Sequence, residues 1–310
     1  METTDGNYSR IKPMVFIAAR VLFVSTKGEL FSGTTPPEEG KTIFNQVFAK
    51  TEGFSMKPKR PKGRQVSVYF DPICKTDGQL LYGARIGKSK KTMFSILENK
   101  HLIEHEISTY PFILMLWDND NQVILIQQKS NIFSDATLPL EIIMLHLNSI
   151  LSLRGLIAKW ELVKERGTFW KAIEDFETIY FLKIELIAPN FFGSTHEKAE
   201  KFVKLLRQET NGTEFSIGIA NEEGNVKLDR NDALIASLAN QIDEGGGNLR
   251  ITGIKKGEKR KKRANLKKQY KFISVDEKYN DINYFSSKHI IEITEEAKEQ
   301  YRSKKDDENA

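Results

Sequence analysis

The sequence predicts an α+β protein: a mostly antiparallel sheet unit over 1–132, a connecting helix over 133–154, a layered α/β sandwich unit over 155–294 and a fraying charged tail over 295–310. Three observations carry that prediction. Strand-sized apolar runs bounded by turn residues fill the first part of the chain, one long apolar-rich stretch at helical spacing follows, and after Gly155 strand-like and helix-like segments alternate. With 310 residues, 39% of them hydrophobic and 10% aromatic, the chain has material for two packed units.

The first strand is expected over 14–24 (MVFIAARVLFV), apolar and β-branched enough to lie centrally in a sheet. The turn-rich 34–40 (TTPPEEG) introduces a short helix near 41–48. Residues 57–64 (KPKRPKGR) hold two prolines and no other apolar side chain, so they form an exposed loop. Residues 66–70 alternate as a strand, 75–78 turn, and 79–86 supply the hairpin partner. The clearest hairpin joins 112–117 to 122–127 through Asp118-Asn119-Asp120-Asn121, residue types that tolerate positive φ.

The connecting helix starts from Ser134 as N-cap, carries Pro139 in its first turn, and aligns Leu140, Ile143, Leu147, Ile150 and Leu151 before ending at Leu153. Strand 157–163, helix 168–176, strand 179–187, helix 194–208, strand 214–220 and helix 230–242 then follow in turn. Ser194 and Glu197 form a capping-box pattern ahead of Phe202, Leu205 and Leu206, and Gly245-Gly246-Gly247 stops the last of these helices. Residues 249–254 and 270–275 read as strands joined by a long basic hairpin loop, and 289–294 as a final strand.

No apolar run approaches the ~18 residues that span a bilayer, and the acidic start METTDGNYSR is the reverse of a secretory leader. A single cysteine, Cys74, excludes an intrachain disulfide and a thiolate zinc cluster and fits a reducing, cytoplasmic setting. The net charge of +5 is unevenly distributed: residues 255–271 hold ten basic side chains and one acid, Glu258, a local +9 that leaves −4 for the rest. Charge packed this densely repels itself and is relieved by an anion, and a phosphate backbone does so while releasing counterions. Lys255, Lys256, Lys259, Arg260, Lys261, Lys262, Arg263, Lys267 and Lys268 are therefore the expected nucleic-acid contacts, with Tyr270 and Phe272 at the edge. Lys57, Lys59, Arg60, Lys62 and Arg64 form a second basic cluster, and Arg85, Lys88, Lys90 and Lys91 a third that would extend the same track.

Other chemistry is weaker. His101, Glu104 and His105 match H-x-x-E-H, in which two helical histidines hold zinc and the glutamate acts as base. Its third ligand would come from Glu174, Glu177 or Glu185, none of which lies in a motif. Asp175, Glu177, Lys183 and Glu185 supply the residue types of a metal-dependent nuclease, with Lys183 and Glu185 on one face of a strand. No phosphate-binding glycine loop is present, and Cys74 has a neighbouring lysine but no histidine near it in sequence. His146, His196 and His289 form no constellation, and no cofactor is expected.

The runs 109–126 (TYPFILMLWDNDNQVILI), 183–190 (KIELIAPN) and 232–238 (DALIASL) resemble an uncharacterised bacterial family of similar length, often found near phage-defence or mobile-element genes. The resemblance implies a bacterial, cytoplasmic setting and a nucleic-acid target or defence complex, and it assigns no site residue. The expected function is nucleic-acid binding, DNA or RNA, with no membrane association. A metal-dependent nuclease and a protein-interaction subunit are the alternatives, and a protein partner or homo-oligomer fits either.

Overall fold

The computed structural model describes residues 13–26, 36–49, 54–56, 68–74, 80–187, 197–210, 212, 214–279 and 285–301. In them the chain is α+β, with two antiparallel sheets and a separate two-stranded ribbon. The larger sheet is organised by β1 (Met14–Ser25), which is buried along almost its whole length. On one side β1 pairs with β8 (Val123–Gln127). On the other it pairs first with β14 (Phe272–Val275) and then with β9 (Leu156–Leu162). Beyond β8 come β7 (Phe112–Asp118), β4 (Leu81–Lys88), β3 (Val68–Cys74) and β2 (Phe54–Met56).

Alternation along β1 feeds two cores. Ile17, Ala19, Val21 and Phe23 face α1 (Pro36–Phe48) and α2 (Leu138–Leu151), while Met14, Phe16 and Ala18 face α6 (Ser287–Tyr301). The sheet is therefore the middle of three layers. Gly40 lets α1 lie close, because a Cβ there would fall 2.1 Å from Phe23 Cγ. Asp118 caps the β7–β8 turn by accepting from the backbone N–H of Asp120 and Asn121, and Gln122 takes φ 53.

The second sheet runs β11 (Glu214–Ala220), β10 (Phe176–Ile187), β12 (Gly247–Lys255), β13 (Lys261–Asn265). Side chains of α3 (Thr168–Glu174), α4 (Glu197–Thr210) and α5 (Ala233–Asp243) close one face around Leu182, Ile184, Leu249 and Ile251. The ribbon, β5 (Lys90–Glu98) with β6 (His101–Thr109), belongs to neither sheet.

Three expectations are corrected. Residues 289–294 are not a strand but the core of α6: their β-branched content suggested extension, yet Ile290, Ile293, Ala297 and Tyr301 recur at helical spacing and all are buried. The helix also runs to Tyr301, into the stretch expected to fray. The segment 255–271 is not one long hairpin loop. Only about 256–260 turns, and the charged β13 pairs with β12 as the sheet edge, where one inward residue, Ala264, meets the core and the others need no apolar character. Its presumed hairpin partner, β14, lies in the other sheet. Strand pairing thus crosses the 154/155 division, since β9 and β14 both return to β1. Ser194, His196 and the turn 75–78 lie outside the described residues. Among the described residues no helix is long and apolar enough to cross a membrane.

Candidate nucleic-acid interface

Among the described residues the helices cover only one face of the second sheet, and the pairing register fixes what the other face presents. Four rows of side chains cross it. The first holds Lys261, Ile254 and Thr178; the second Arg263, Thr252, Phe181 and Ala220; the third Asn265, Arg250, Lys183 and Gly218; the fourth Asn248, Glu185 and Ser216. Neighbouring strands lie ~4.8 Å apart, so Phe181 and Arg263, two strands apart, are separated by about 10 Å across the second row.

A register shift between Ile179 and Phe181 interrupts β10 at Tyr180. Lys261 Nζ sits 3.8 Å from the Tyr180 ring centroid, a cation–π contact that holds the side chain at the surface. Phe181 is 39% exposed, large for an aromatic in mid-strand, and it lies over Gly218, whose missing side chain leaves room for the ring. Two aromatic side chains thus stand beside two exposed cations, Lys261 and Arg263.

The far end of the face has a different character. Glu185 accepts from Lys183 Nζ at 2.9 Å, Asn248 Nδ2 at 3.0 Å and Arg250 Nε at 3.0 Å. Partial burial would raise its pKa, but the hydrogen bonds from Lys183 and Asn248 and the charge of Arg250 outweigh that and hold the carboxyl below its usual range. Glu161 and Glu214 line the same depression as Glu185, with Lys267 beside them. Burial pushes Glu161 up, opposed by Lys164 and Lys267. This end is occupied by internal ion pairing, and its cations are already engaged.

The ten basic residues of 255–271 are accordingly divided. Lys255 reaches Asp175 at 3.5 Å and lies over Phe176, Lys262 pairs with Glu258 at 3.4 Å, and Lys271 donates to the carbonyl of Gln300 at the end of α6. Lys267 lines the depression that holds Glu161, Glu185 and Glu214. Lys256, Lys259, Arg260, Lys261, Arg263 and Lys268 form no ion pair among the described residues. Four of these, Lys259, Arg260, Lys261 and Arg263, run from the β12–β13 turn into the first two rows.

No protein-family model, curated protein or solved structure matches this chain. The surface therefore has to be read from its own chemistry.

The remaining candidate residues lie elsewhere. Lys57, Lys59, Arg60, Lys62 and Arg64 are outside the described residues. Arg85 and Lys88 are on β4 and Lys90 and Lys91 at the base of the ribbon, so they share no sheet with β13, and Arg85 is paired with Asp71 at 2.7 Å. His101, Glu104 and His105 are on β6, not on a helix: alternation puts both histidines on one face and Glu104 on the other, which breaks the geometry the motif requires. Among the described residues no three His, Cys, Asp or Glu side chains are placed to hold a metal ion. Asp175 and Glu185 stand near opposite ends of β10, about 30 Å apart along a strand of that length, and Glu174 pairs with Arg230. Cys74 closes β3, and His146 packs edge-on against Phe48. His289 Nδ1 lies 3.3 Å from the backbone nitrogen of Ser286 at the start of α6.

The sequence reading did not single out Tyr180, Phe181 or Arg250. Phe181, Lys183 and Glu185 alternate along one strand, which was visible, but which of its two faces is bare depends on where the helices pack.

Proposed function

We propose that the chain binds single-stranded nucleic acid on the uncovered face of the second sheet. Lys261 and Arg263, with Lys259 and Arg260 on the adjoining turn, neutralise phosphates, and Phe181 and Tyr180 stack on bases. The observation that carries this reading is the second row of the face, where an exposed Phe181 stands on the same surface as an ion-pair-free Arg263. Duplex bases hide their faces in the stack, whereas an aromatic ring on an open sheet offers contact to unpaired bases of any type. At the far end Lys183 and Arg250 are already paired with Glu185, so it offers a backbone little free positive charge, which favours the end near the β12–β13 turn. Nothing on the face supplies a pattern of donors and acceptors for reading base edges, so recognition rests on charge and stacking. The resemblance noted above supports a bacterial, cytoplasmic setting with phage defence as the context.

The test compares oligo(dT), oligo(U) and duplex DNA of about 16 nucleotides against the full chain and Phe181→Ala. Single strands are expected to bind more tightly than duplex, and Phe181→Ala to weaken them by about 5- to 150-fold, the worth of one stacked base at ~1–3 kcal/mol. Equal affinity for duplex and single strands, unchanged in the variant, would rule out the stacking surface.

A further inference from the structure

We infer that the ribbon formed by β5 and β6 is a self-association arm, and that the chain forms a two-fold dimer in which two such arms pack face to face and antiparallel. This stands apart from the nucleic-acid reading and rests on different residues. The ribbon continues β4 and β7 past the end of the large sheet, and among the described residues its nine-residue strands pair only with each other, which gives an arm about 30 Å long. An isolated two-stranded ribbon is marginal in water, so an arm of this length calls for a covering surface.

The register shows what kind of surface. Paired residues share a face, and one face reads, from base to tip, Lys90 with Thr109, Thr92 with Ile107, Phe94 with His105, Ile96 with Ile103, and Glu98 with His101. Its apolar centre is open to solvent, with Phe94 38%, Ile103 39% and Ile107 46% exposed. The order is self-complementary about Phe94. A two-fold axis through that residue lays the Ile96–Ile103 pair of one arm on Ile107 of the other and brings Lys90 of each copy opposite Glu98 of its partner. Lys90 forms no ion pair among the described residues, and Glu98 has a contact with His105 at 3.7 Å. A two-fold axis along the strands would instead lay β5 of one copy on β6 of the other, setting Lys90 on Thr109 with no carboxylate opposite it, so charge selects the antiparallel arrangement. The arm's own charges, Lys90, Lys91 and Lys100 against Glu98, Glu104 and Glu106, balance, which disfavours a nucleic-acid backbone as the occupant.

One face of about 30 by 10 Å per copy is small for an interface, so the dimer belongs to the weak, concentration-dependent class. Sedimentation velocity on the full chain from about 1 µM to about 1 mM tests it, a range that brackets such affinities. A reversible monomer–dimer transition is expected. Ile103→Glu abolishes it, while Leu102→Glu, on the opposite face and more exposed, leaves it intact. Lys90→Glu weakens it at least tenfold, and the double variant Lys90→Glu/Glu98→Lys restores it. That restoration separates a lost contact from a damaged ribbon. A chain that stays monomeric throughout overturns the proposal. So does a dimer that persists in Ile103→Glu, or one weakened by Lys90→Glu that the double variant fails to recover.

Discussion

Lys164 is buried where the two sheets meet, and its three ammonium protons are spent on the carbonyls of Leu162, Ile242 and Gly247 at 3.1–3.2 Å. Burial lowers its pKa, opposed by Glu161 and Asp243, and the three acceptors favour the charged form. Asp243 completes the junction by accepting from the backbone N–H of Gly167 at 2.7 Å and Phe169 at 3.0 Å, which anchors the start of α3. Burial pushes Asp243 from 3.8 to about 6, against the pull of those hydrogen bonds and Lys164. Its folded pKa lies above its unfolded one, so the folded chain holds this proton more tightly. The resulting stabilisation is complete below about pH 4 and is lost as pH rises through about 6, at most about 3 kcal/mol. Asp243→Asn removes that slope and, by forfeiting one acceptor, costs about 1–2 kcal/mol at neutral pH. Urea denaturation from pH 4 to 7 measures both, and an identical slope in wild type and variant would refute the assignment. A second buried carboxylate, Asp118, accepts from Tyr301 Oη at 2.7 Å and ties the end of α6 to the β7–β8 turn. Tyr301→Phe is expected to lower stability by about 1.5–3 kcal/mol, the worth of a hydrogen bond to a charged group, read from the same denaturation curves. Neither junction was legible in the sequence, because each joins residues whose proximity depends on strands pairing out of chain order.

At the scale of elements, the legible parts were those with a local rule. The hairpin of β7 and β8 followed from its turn residues and β11 matched its expected bounds, while α5, expected from 230, starts only at Ala233, after Asp232 accepts from the N–H of Leu234 and Ile235 as its cap. The ribbon was missed because its turn, Asn99-Lys100, lacks the glycine that marks such hairpins. Both residues nonetheless adopt positive φ, 50 and 66, and Lys100 bears the steric cost of a side chain there. Lys100→Gly is therefore expected to stabilise the ribbon by about 1 kcal/mol, seen as slower amide exchange along β5 and β6. Unchanged or faster exchange would contradict the turn conformation. β13 escaped for the opposite reason: five residues with one small apolar side chain carry no strand signal, and only the neighbour β12 makes them a strand. For α6 the β-branched isoleucines outweighed a helical spacing that extends past the stretch read as a strand.

At the scale of the whole molecule, the concentration of positive charge in 255–271 was read directly from sequence, while its division was not. Folding commits Lys255, Lys262 and Lys271 to partners in the chain, turns Lys267 to the depression lined by Glu161, Glu185 and Glu214, and leaves Lys261 and Arg263 on a sheet face that is bare among the described residues and carries two aromatic rings. One large three-layer unit supports a second sheet whose helices cover a single side, and the uncovered side is where binding is proposed. The salt dependence of single-strand binding tests this most directly, with wild type compared to Lys261→Ala/Arg263→Ala. Each phosphate contact on a single strand contributes about 0.7 to the slope of log K against log salt, so the double variant should bind more weakly with a slope shallower by about 1.4. A double variant with the wild-type slope and affinity, or a wild type that binds no single strand even at low salt, would contradict the account.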